Sequence, residues 1–522
     1  MFTLFKKSDK FLPELKSLDW LVLLAALAAY VGLAASTITK FSIWFDEAFG
    51  SYLIRFSFVD LTRYTASDVH PPLYYWLLKV WTSLFGNTEL GIRTMSLFFG
   101  AVTLIFAYVL IVRLFGRKAA YVSLLFLALS PMFIRYSQEA RMYTLLTAII
   151  VAATYVLVYM TEHTKKRWPW VVYGLLVGLG MLTQYFAALA WISHWVWRYI
   201  TIRNHGDSLK ATRRKFFTKQ WMSAHVVAIV LFLPWLPLFV WQFANVQGNG
   251  FWIPAVTSAT VPDFVTNLLL FTSHANVQSW LAFGFYTVII SMTYLSLRLV
   301  AQLKDQQRDN YILLICMVII PAVILIILSM PPLRPAFIDR YLMATIVFAP
   351  LLLGVSIVLV KNVKRWLLIG LGSIIIVLFG FGIVKQMQIG NYNKTTYQSN
   401  NTRQLLEKVR ASDHTNEPIV ANTPWIYYEA AIYSTDVSPI YFVNEVTNYR
   451  YGSLMMLAES DWGKIKKLDE FTAQNTSFWV ISNLRDMSPN KLRDSWKIDE
   501  TITINDDISN TPLFRAIHVT VE

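Results

Sequence analysis

Apolar runs recur along the first three quarters of the chain, separated by short polar stretches, and they cease near residue 385. A helix crossing a hydrocarbon core ~30 Å thick needs about 20 mostly apolar residues. Eleven segments fit that description: 17–37, 92–114, 118–134, 141–160, 168–183, 185–201, 221–241, 280–300, 311–330, 342–360 and 365–385. Shorter apolar stretches at 47–58, 72–85 and 261–271 carry Pro, Trp or charge, the pattern of helices lying on a membrane surface. The first run is not read as a cleaved leader, because it is long, lacks a convincing small-residue cleavage site and is followed by further spans.

Past residue 385 the period changes. Asn401 to Ala411 predicts an amphipathic helix, Pro418 to Ala421 a strand, and Pro424 to Ser434 a second helix. Pro439 to Val443, Ser477 to Ser482 and Leu513 to Val521 predict further strands, so a small α/β domain is expected. Gly390 to Asn400, rich in Asn, Tyr, Gln, Ser and Thr, reads as a linker. The expected division is a transmembrane catalytic domain over 1–385, a linker over 386–400 and an α/β domain over 401–522.

Composition agrees with a membrane protein: 55% of residues are hydrophobic, 19 are Trp, and the mean hydropathy is +0.45. The formal net charge of +14 is unevenly placed. With the N-terminus in the cytoplasm, the inside loops hold 23 Lys and Arg and the outside loops before residue 386 hold nine, which is the positive-inside bias. Residues 386–522 hold 13 Lys and Arg against 17 Asp and Glu, and an odd number of crossings sets them outside. The basic charge therefore marks topology and attraction to anionic membrane lipids, with no case for nucleic acid. Cys316 is the single cysteine and lies inside a span, so the external domain has no disulfide, which points to a bacterial or archaeal surface.

The loops assigned to the outer face carry the chemistry. Asp46 and Glu47 follow the first span, and the segment Asp68-Val69-His70-Pro71-Pro72-Leu73-Tyr74-Tyr75-Trp76 comes next. Arg93 opens the second span, Gln138-Glu139-Ala140-Arg141-Met142-Tyr143 follows the third, and Arg340-Tyr341 opens the tenth. Ionisable groups at a bilayer are costly and mark functional positions, although Asp46 could instead cap a helix starting at Glu47. A carboxylate can take the proton from an acceptor hydroxyl, and guanidinium groups can hold phosphate oxygens while charge builds on a leaving group. Asp60, Glu89 and Asp263 read as solvated loop charges.

Four motifs in this order resemble glycosyltransferase family 39, the polytopic C-type glycosyltransferases similar to dolichyl-phosphate-mannose protein mannosyltransferases. They are Asp46-Glu47, His70-Pro71-Pro72-Leu73, Gln138-Glu139-Ala140-Arg141-Met142-Tyr143 and Pro234-Trp235-Leu236-Pro237, and the resemblance covers roughly residues 15 to 385. It implies a C-type glycosyltransferase fold and an inverting transfer of one sugar from a polyprenyl-phosphate donor to an acceptor hydroxyl on protein, lipid or wall polymer. It implies Asp46 as the general base, with Glu47 beside it, and Arg93, Arg141 and Arg340 on the donor phosphate. His70, Glu139, Tyr143 and Tyr341 complete the candidate substrate contacts, Tyr143 as a surface on which a sugar could stack. Each has a plainer reading: His70 ordering a turn, Glu139 and Arg141 as a local ion pair, Arg340 as an interfacial anchor beside Tyr341. Members of the family differ in whether a divalent metal is bound. This chain has His70 where some relatives place a carboxylate before Pro-Pro, so no metal ligand is assigned and a divalent metal stays open. The alternatives are an oligosaccharide ligase or lipid-modifying transferase, and behind them a polytopic transporter, which would place ionisable groups at the bilayer midplane of matched halves.

Overall fold

The computed structural model describes residues 10–204, 208–249, 253–389, 402–443, 452–484, 493, 495–505 and 510–521. The predicted linker, Gly390 to Asn400, lies outside them. The chain forms two compact units, one of Met1–Ser36, Ser96–Gln138 and Met142–Gln388, the other of Thr37–Met95, Glu139–Arg141 and Ile389–Glu522.

The first unit is helical. Seven helices are long and apolar enough to cross a membrane, among them α1 (Ser17–Ala35) and, later in the chain, the spans Lys219–Gly248, Ser279–Gln302, Asp305–Leu328 and Arg365–Gln388. The protein is a multi-pass membrane protein. Every predicted span falls on a helix, but length and composition support seven or eight crossings among the described residues and do not fix the count of eleven. The third predicted span is two helices, Arg117–Ala128 and Pro131–Ser137, meeting at 62°. Trp168–Thr183 and Met343–Leu359 are apolar but shorter. Helix Tyr143–Glu162 is buried on all sides. Close packing uses small residues, as expected where lipid tails compete equally for apolar surface. At Gly174 a Cβ would sit 2.2 Å from the carbonyl oxygen of Ala224, and at Gly354 one would sit 2.5 Å from the Ser123 backbone. The hydroxyl of Ser123 donates to the Leu351 carbonyl across that second contact, 3.0 Å.

The second unit joins the first polar loop to the C-terminal region. Three short helices follow the first span: α2 (Phe45–Leu53), α3 (Phe58–Ala66) and α4 (Leu73–Phe85), and α5 (Glu89–Phe115) begins here and continues into the other unit. Helices α2 and α4 occupy two of the short apolar stretches, and helix Thr260–Leu270 in the first unit occupies the third; α2 is largely buried within the protein from Glu47 to Leu53. Ser57 caps α3 by accepting the Asp60 amide at 3.1 Å, and the indole of Trp76 donates to Thr62 at 2.9 Å, tying α4 to α3.

The C-terminal region is the expected α/β domain. Its six-stranded sheet has strands β1 (Ile419–Ala421), β2 (Ile440–Val443), β3 (Lys464–Ile465), β4 (Ser477–Asn483), β5 (Lys497–Asn505) and β6 (Pro512–Thr520), in the order β3-β2-β1-β4-β6-β5. The first four are parallel, and β6 and β5 add antiparallel beside β4. Val420, Phe478, Val480, Ile517 and Val519 form one apolar core with Val443, Ile465 and Trp496. Helix Pro424–Ala431 turns its aromatic residues onto α2: Phe45 meets Trp425 edge-on at 4.8 Å, and Tyr52 meets Tyr428 at 5.1 Å. Polar contacts join in, with Arg63 to Glu459 at 2.7 Å, the Tyr64 hydroxyl to Glu459 at 3.0 Å and Tyr52 to Ser460 at 2.9 Å.

Candidate active site

Asp46 and Glu47 are neighbours in sequence with different surroundings. Helix α2 starts at Phe45, with Trp44 as its N-cap, so both carboxylates fall in the first turn, where the helix dipole favours negative charge. Capping falls to Glu47, whose Oε2 accepts the Trp44 amide at 3.4 Å; Asp46 is not the N-cap.

Glu47 is fully buried and pairs with Arg93 through two parallel hydrogen bonds, Nε to Oε1 at 2.8 Å and Nη2 to Oε2 at 2.6 Å. The Ala140 amide also donates to Oε1, at 2.8 Å. Arg93 sits in the second turn of α5 and donates its remaining protons to three carbonyls of the loop before α2. These are Ile38 at 2.8 Å, Phe41 at 2.9 Å and Ser42 at 3.2 Å. A guanidinium has five N–H donors, and all five are used inside the protein. Arg93 therefore holds the loop from 38 to 47 in place and has no donor left for a phosphate.

Asp46 keeps 22% of its side chain exposed. Its partner is Arg141, which is 2% exposed and lies 3.9 Å from Oδ2 through Nη2. Nη1 of Arg141 also donates to the Asp46 carbonyl at 3.0 Å and to the Tyr75 hydroxyl at 3.1 Å. His70 braces the arrangement. Arg141 can only donate, so at the 3.0 Å contact its Nη2–H points at the lone pair on Nε2 of His70, and Nδ1–H of His70 donates to Asp68 at 3.1 Å. Burial and the Arg141 charge hold the His70 pKa below its ordinary value, against the pull of Asp68, so the ring is neutral at neutral pH. The two prolines after His70 lead straight into α4, which carries Tyr75. Glu139 is buried beside Ala140 and Arg141.

This donor set does not suit a divalent cation. Asp46 and His70 both face Arg141, so an ion between them would meet a guanidinium.

The remaining predicted residues belong to the other unit. Tyr143, 1% exposed, opens helix Tyr143–Glu162 and meets Tyr136 edge-on at 5.0 Å. Arg340 is 6% exposed in a short 3-10 turn, Asp339–Tyr341, and Tyr341 stacks on Phe186 at 3.9 Å. In the same turn Asp339 accepts from Asn267 at 3.0 Å, and burial pushes its carboxyl up, only partly offset by Arg135. Sequence reasoning missed the bracing roles of Asp68 and Tyr75, although both lie in a segment it singled out. It also misjudged Glu89, which is not solvated. Glu89 accepts Arg403 at 2.6 Å and the Ile43 amide at 3.2 Å, and it bonds the Tyr433 hydroxyl. Asp60 and Asp263 are first-turn helix residues, not loop charges, and each bonds locally, Asp60 with Ser57 at the α3 cap and Asp263 with the His274 amide at 2.7 Å.

The comparisons with known proteins bear out the resemblance to glycosyltransferase family 39. Residues 69–238 match the family described as dolichyl-phosphate-mannose-protein mannosyltransferase. The chain is 27% identical over 187 residues to an undecaprenyl phosphate-alpha-4-amino-4-deoxy-L-arabinose arabinosyl transferase of Serratia proteamaculans (strain 568), covering 35% of this chain and 32% of that protein. The matched stretch is thus about a third of the relative's length. ArnT from Cupriavidus metallidurans, solved bound to undecaprenyl phosphate, superposes with a TM-score of 0.58 at 12% identity over 96% of this chain and 98% of that one. The oligosaccharyltransferase of Archaeoglobus fulgidus in its apo form follows at TM-score 0.51 and 12% identity, over 89% and 69%. At such identities these likenesses show the fold.

Proposed function

We propose that the protein is an inverting glycosyltransferase that moves one sugar from a polyprenyl-phosphate donor to an acceptor hydroxyl at the outer face of the membrane. The observation that carries this reading is the asymmetry of the acidic pair: Glu47 is consumed by Arg93 and two amides, while Asp46 keeps a partly exposed carboxylate oriented by Arg141. The acceptor oxygen attacks the anomeric carbon as Asp46 takes its proton. The bond from that carbon to the phosphate oxygen breaks, and its electron pair leaves with the polyprenyl phosphate. General base catalysis of this kind contributes about 10² to 10⁴-fold.

Arg141 is the guanidinium beside the base and the first candidate for the leaving phosphate, with Arg340 second; Arg93 is reassigned from donor binding to holding the loop. A relative named for arabinosyl transfer and a family named for mannosyl transfer favour a pentose or hexose as the transferred group. The N-terminus is assigned to the cytoplasm on the charge bias, and the domain over 401–522 to the outside, where it packs on α2 and α3. The test is direct. Membranes containing the protein are given a radiolabelled polyprenyl-phosphate sugar, and loss of label from the lipid into acceptor is compared with membranes containing Asp46→Asn. A reporter placed after residue 400 is read from outside intact cells. Equal transfer by both proteins would sink the reading, and a reporter reached only from the cytoplasm would invert it.

A further inference from the structure

The C-terminal domain contains a second cluster of ionisable groups that the transfer reaction does not use. His414 and Glu417 lie in the turn after helix Thr402–Arg410, and His518 lies near the end of β6. Their ligand atoms are all within 4.8 Å of one another. One oxygen of Glu417 is 3.1 Å from Nδ1 of His414, and the other is 2.7 Å from Nε2 of His518. The two imidazoles stack at 3.7 Å between centroids, 15° from parallel, so their nitrogens point at the same carboxylate.

The surroundings of His518 are those of a metal ligand. It is 1% exposed, and Asp499 Oδ2 lies 3.2 Å from its Nδ1 as an ion-pair contact off the N–H axis. The Thr520 hydroxyl fixes that Asp499 oxygen at 2.6 Å. A histidine that binds metal usually points its other ring nitrogen at a carboxylate, which fixes the ring. Trp479 completes the shell: its indole donates to the His414 carbonyl at 3.1 Å, and its ring meets His518 edge-on at 5.2 Å. Burial works against ionisation of Glu417, yet hydrogen bonds from His518, Ser477 and His414 hold its carboxyl below the ordinary value.

We propose that His414, Glu417 and His518 bind one divalent transition-metal cation of the zinc type. Two imidazoles and a carboxylate are a borderline-soft donor set that favours Zn²⁺ over Mg²⁺ or Ca²⁺. Bonds of about 2.0 to 2.2 Å in a tetrahedral shell place ligand atoms about 3.4 Å apart. The ligand atoms now lie within 4.8 Å of one another on two nearly parallel rings, so binding would turn and draw in His414, 35% exposed in its turn. The ion would tie the turn after the first helix of the domain to its last long strand, a structural role apart from Asp46.

The full-length protein in detergent, stripped with chelator, is titrated calorimetrically with Zn²⁺ and, separately, with Co²⁺ while visible absorption is followed. We expect one equivalent of Zn²⁺ and a tetrahedral Co²⁺ band in the wild type. His414→Gln and Glu417→Gln, both at partly exposed positions, should each weaken binding at least 10-fold and abolish the band. Asp499→Asn, one shell out, should weaken binding by about 10-fold. His518→Gln is avoided as the deciding variant because that side chain is buried. No binding by a folded wild type, or unchanged Zn²⁺ affinity and Co²⁺ spectrum in the His414→Gln, Glu417→Gln double variant, overturns the proposal and leaves a hydrogen-bonded imidazole–carboxylate cluster.

Discussion

Two arginine–carboxylate pairs stand side by side at the start of α2, built from the same kinds of group and differing in what surrounds them. Around Glu47 and Arg93, every donor of the guanidinium meets a protein acceptor and both side chains are buried. Around Asp46 and Arg141, the contact is looser at 3.9 Å, the carboxylate is partly exposed, and a neutral histidine stands where another acid could have been. A buried pair with saturated hydrogen bonding fixes geometry and is chemically inert. A partly exposed carboxylate with a guanidinium 3.9 Å away stays accessible from outside the protein. The two acids differ in exposure and in the geometry of their guanidinium contact, and acid content alone does not reveal that difference.

The sharpest way to break this contrast is to neutralise each acid in turn. Asp46→Asn keeps shape and folding and should cut transfer by about 10² to 10⁴-fold, measured as sugar release from the donor lipid with the melting temperature checked alongside. Glu47→Gln should act in the opposite sense. It leaves Arg93 buried without its counter-charge, which costs about 3 to 5 kcal/mol, so the loss should be read in thermal unfolding and yield of folded protein. If Glu47→Gln is stable but inactive while Asp46→Asn works, the two roles are exchanged.

Replacing Arg141 by Lys keeps the charge and loses the planar fork that reaches the Asp46 carbonyl, Tyr75 and His70 together. About 10-fold lower transfer is expected, from roughly 1.4 kcal/mol of lost orientation. Arg93→Lys should leave transfer by the folded fraction near normal while lowering stability; a primary effect on donor affinity would return Arg93 to the phosphate.

His70 gives a smaller, pH-dependent effect. Its folded pKa is depressed, so its contribution to stability is complete above the unfolded value of 6.5 and is lost as pH falls from there through the folded pKa. Melting temperature should drop on acidification below about pH 6.5, and more steeply in wild type than in His70→Gln. Parallel curves would mean that His70 does not titrate between the two states. Least of all should follow from Arg63→Ala, which removes a half-exposed pair with Glu459, at about 0 to 1 kcal/mol.

Much of this was legible in the sequence, for reasons that also explain what was not. The spans and most of the tail strands announce themselves through uninterrupted or alternating apolar residues. Strand β5 does not: it is a sheet edge whose residues are mostly exposed, so Lys497-Ile498-Asp499-Glu500 has no inward-facing period to detect. The acidic pair could be flagged because charge beside a membrane span is costly, but which acid is buried depends on Arg93, 46 positions further on, and on the amide of Ala140, which has no side-chain signature. Glu89 looked like a loop charge because its partners, Arg403 and Tyr433, lie more than three hundred residues away. Long-range pairing of this kind leaves no local pattern.

That same separation bears on how the protein is made. Residues 37–95, the three-residue segment Glu139–Arg141 and the region from Ile389 onward form one compact unit, although the ribosome delivers them far apart in time. At roughly 5 to 20 residues per second, the aromatic face of α2 would wait about 15 to 80 s for Trp425 and Tyr428 to emerge. In that interval the nascent chain presents a partly finished loop with Phe45, Phe49 and Tyr52 uncovered, a natural holding point for an insertion chaperone.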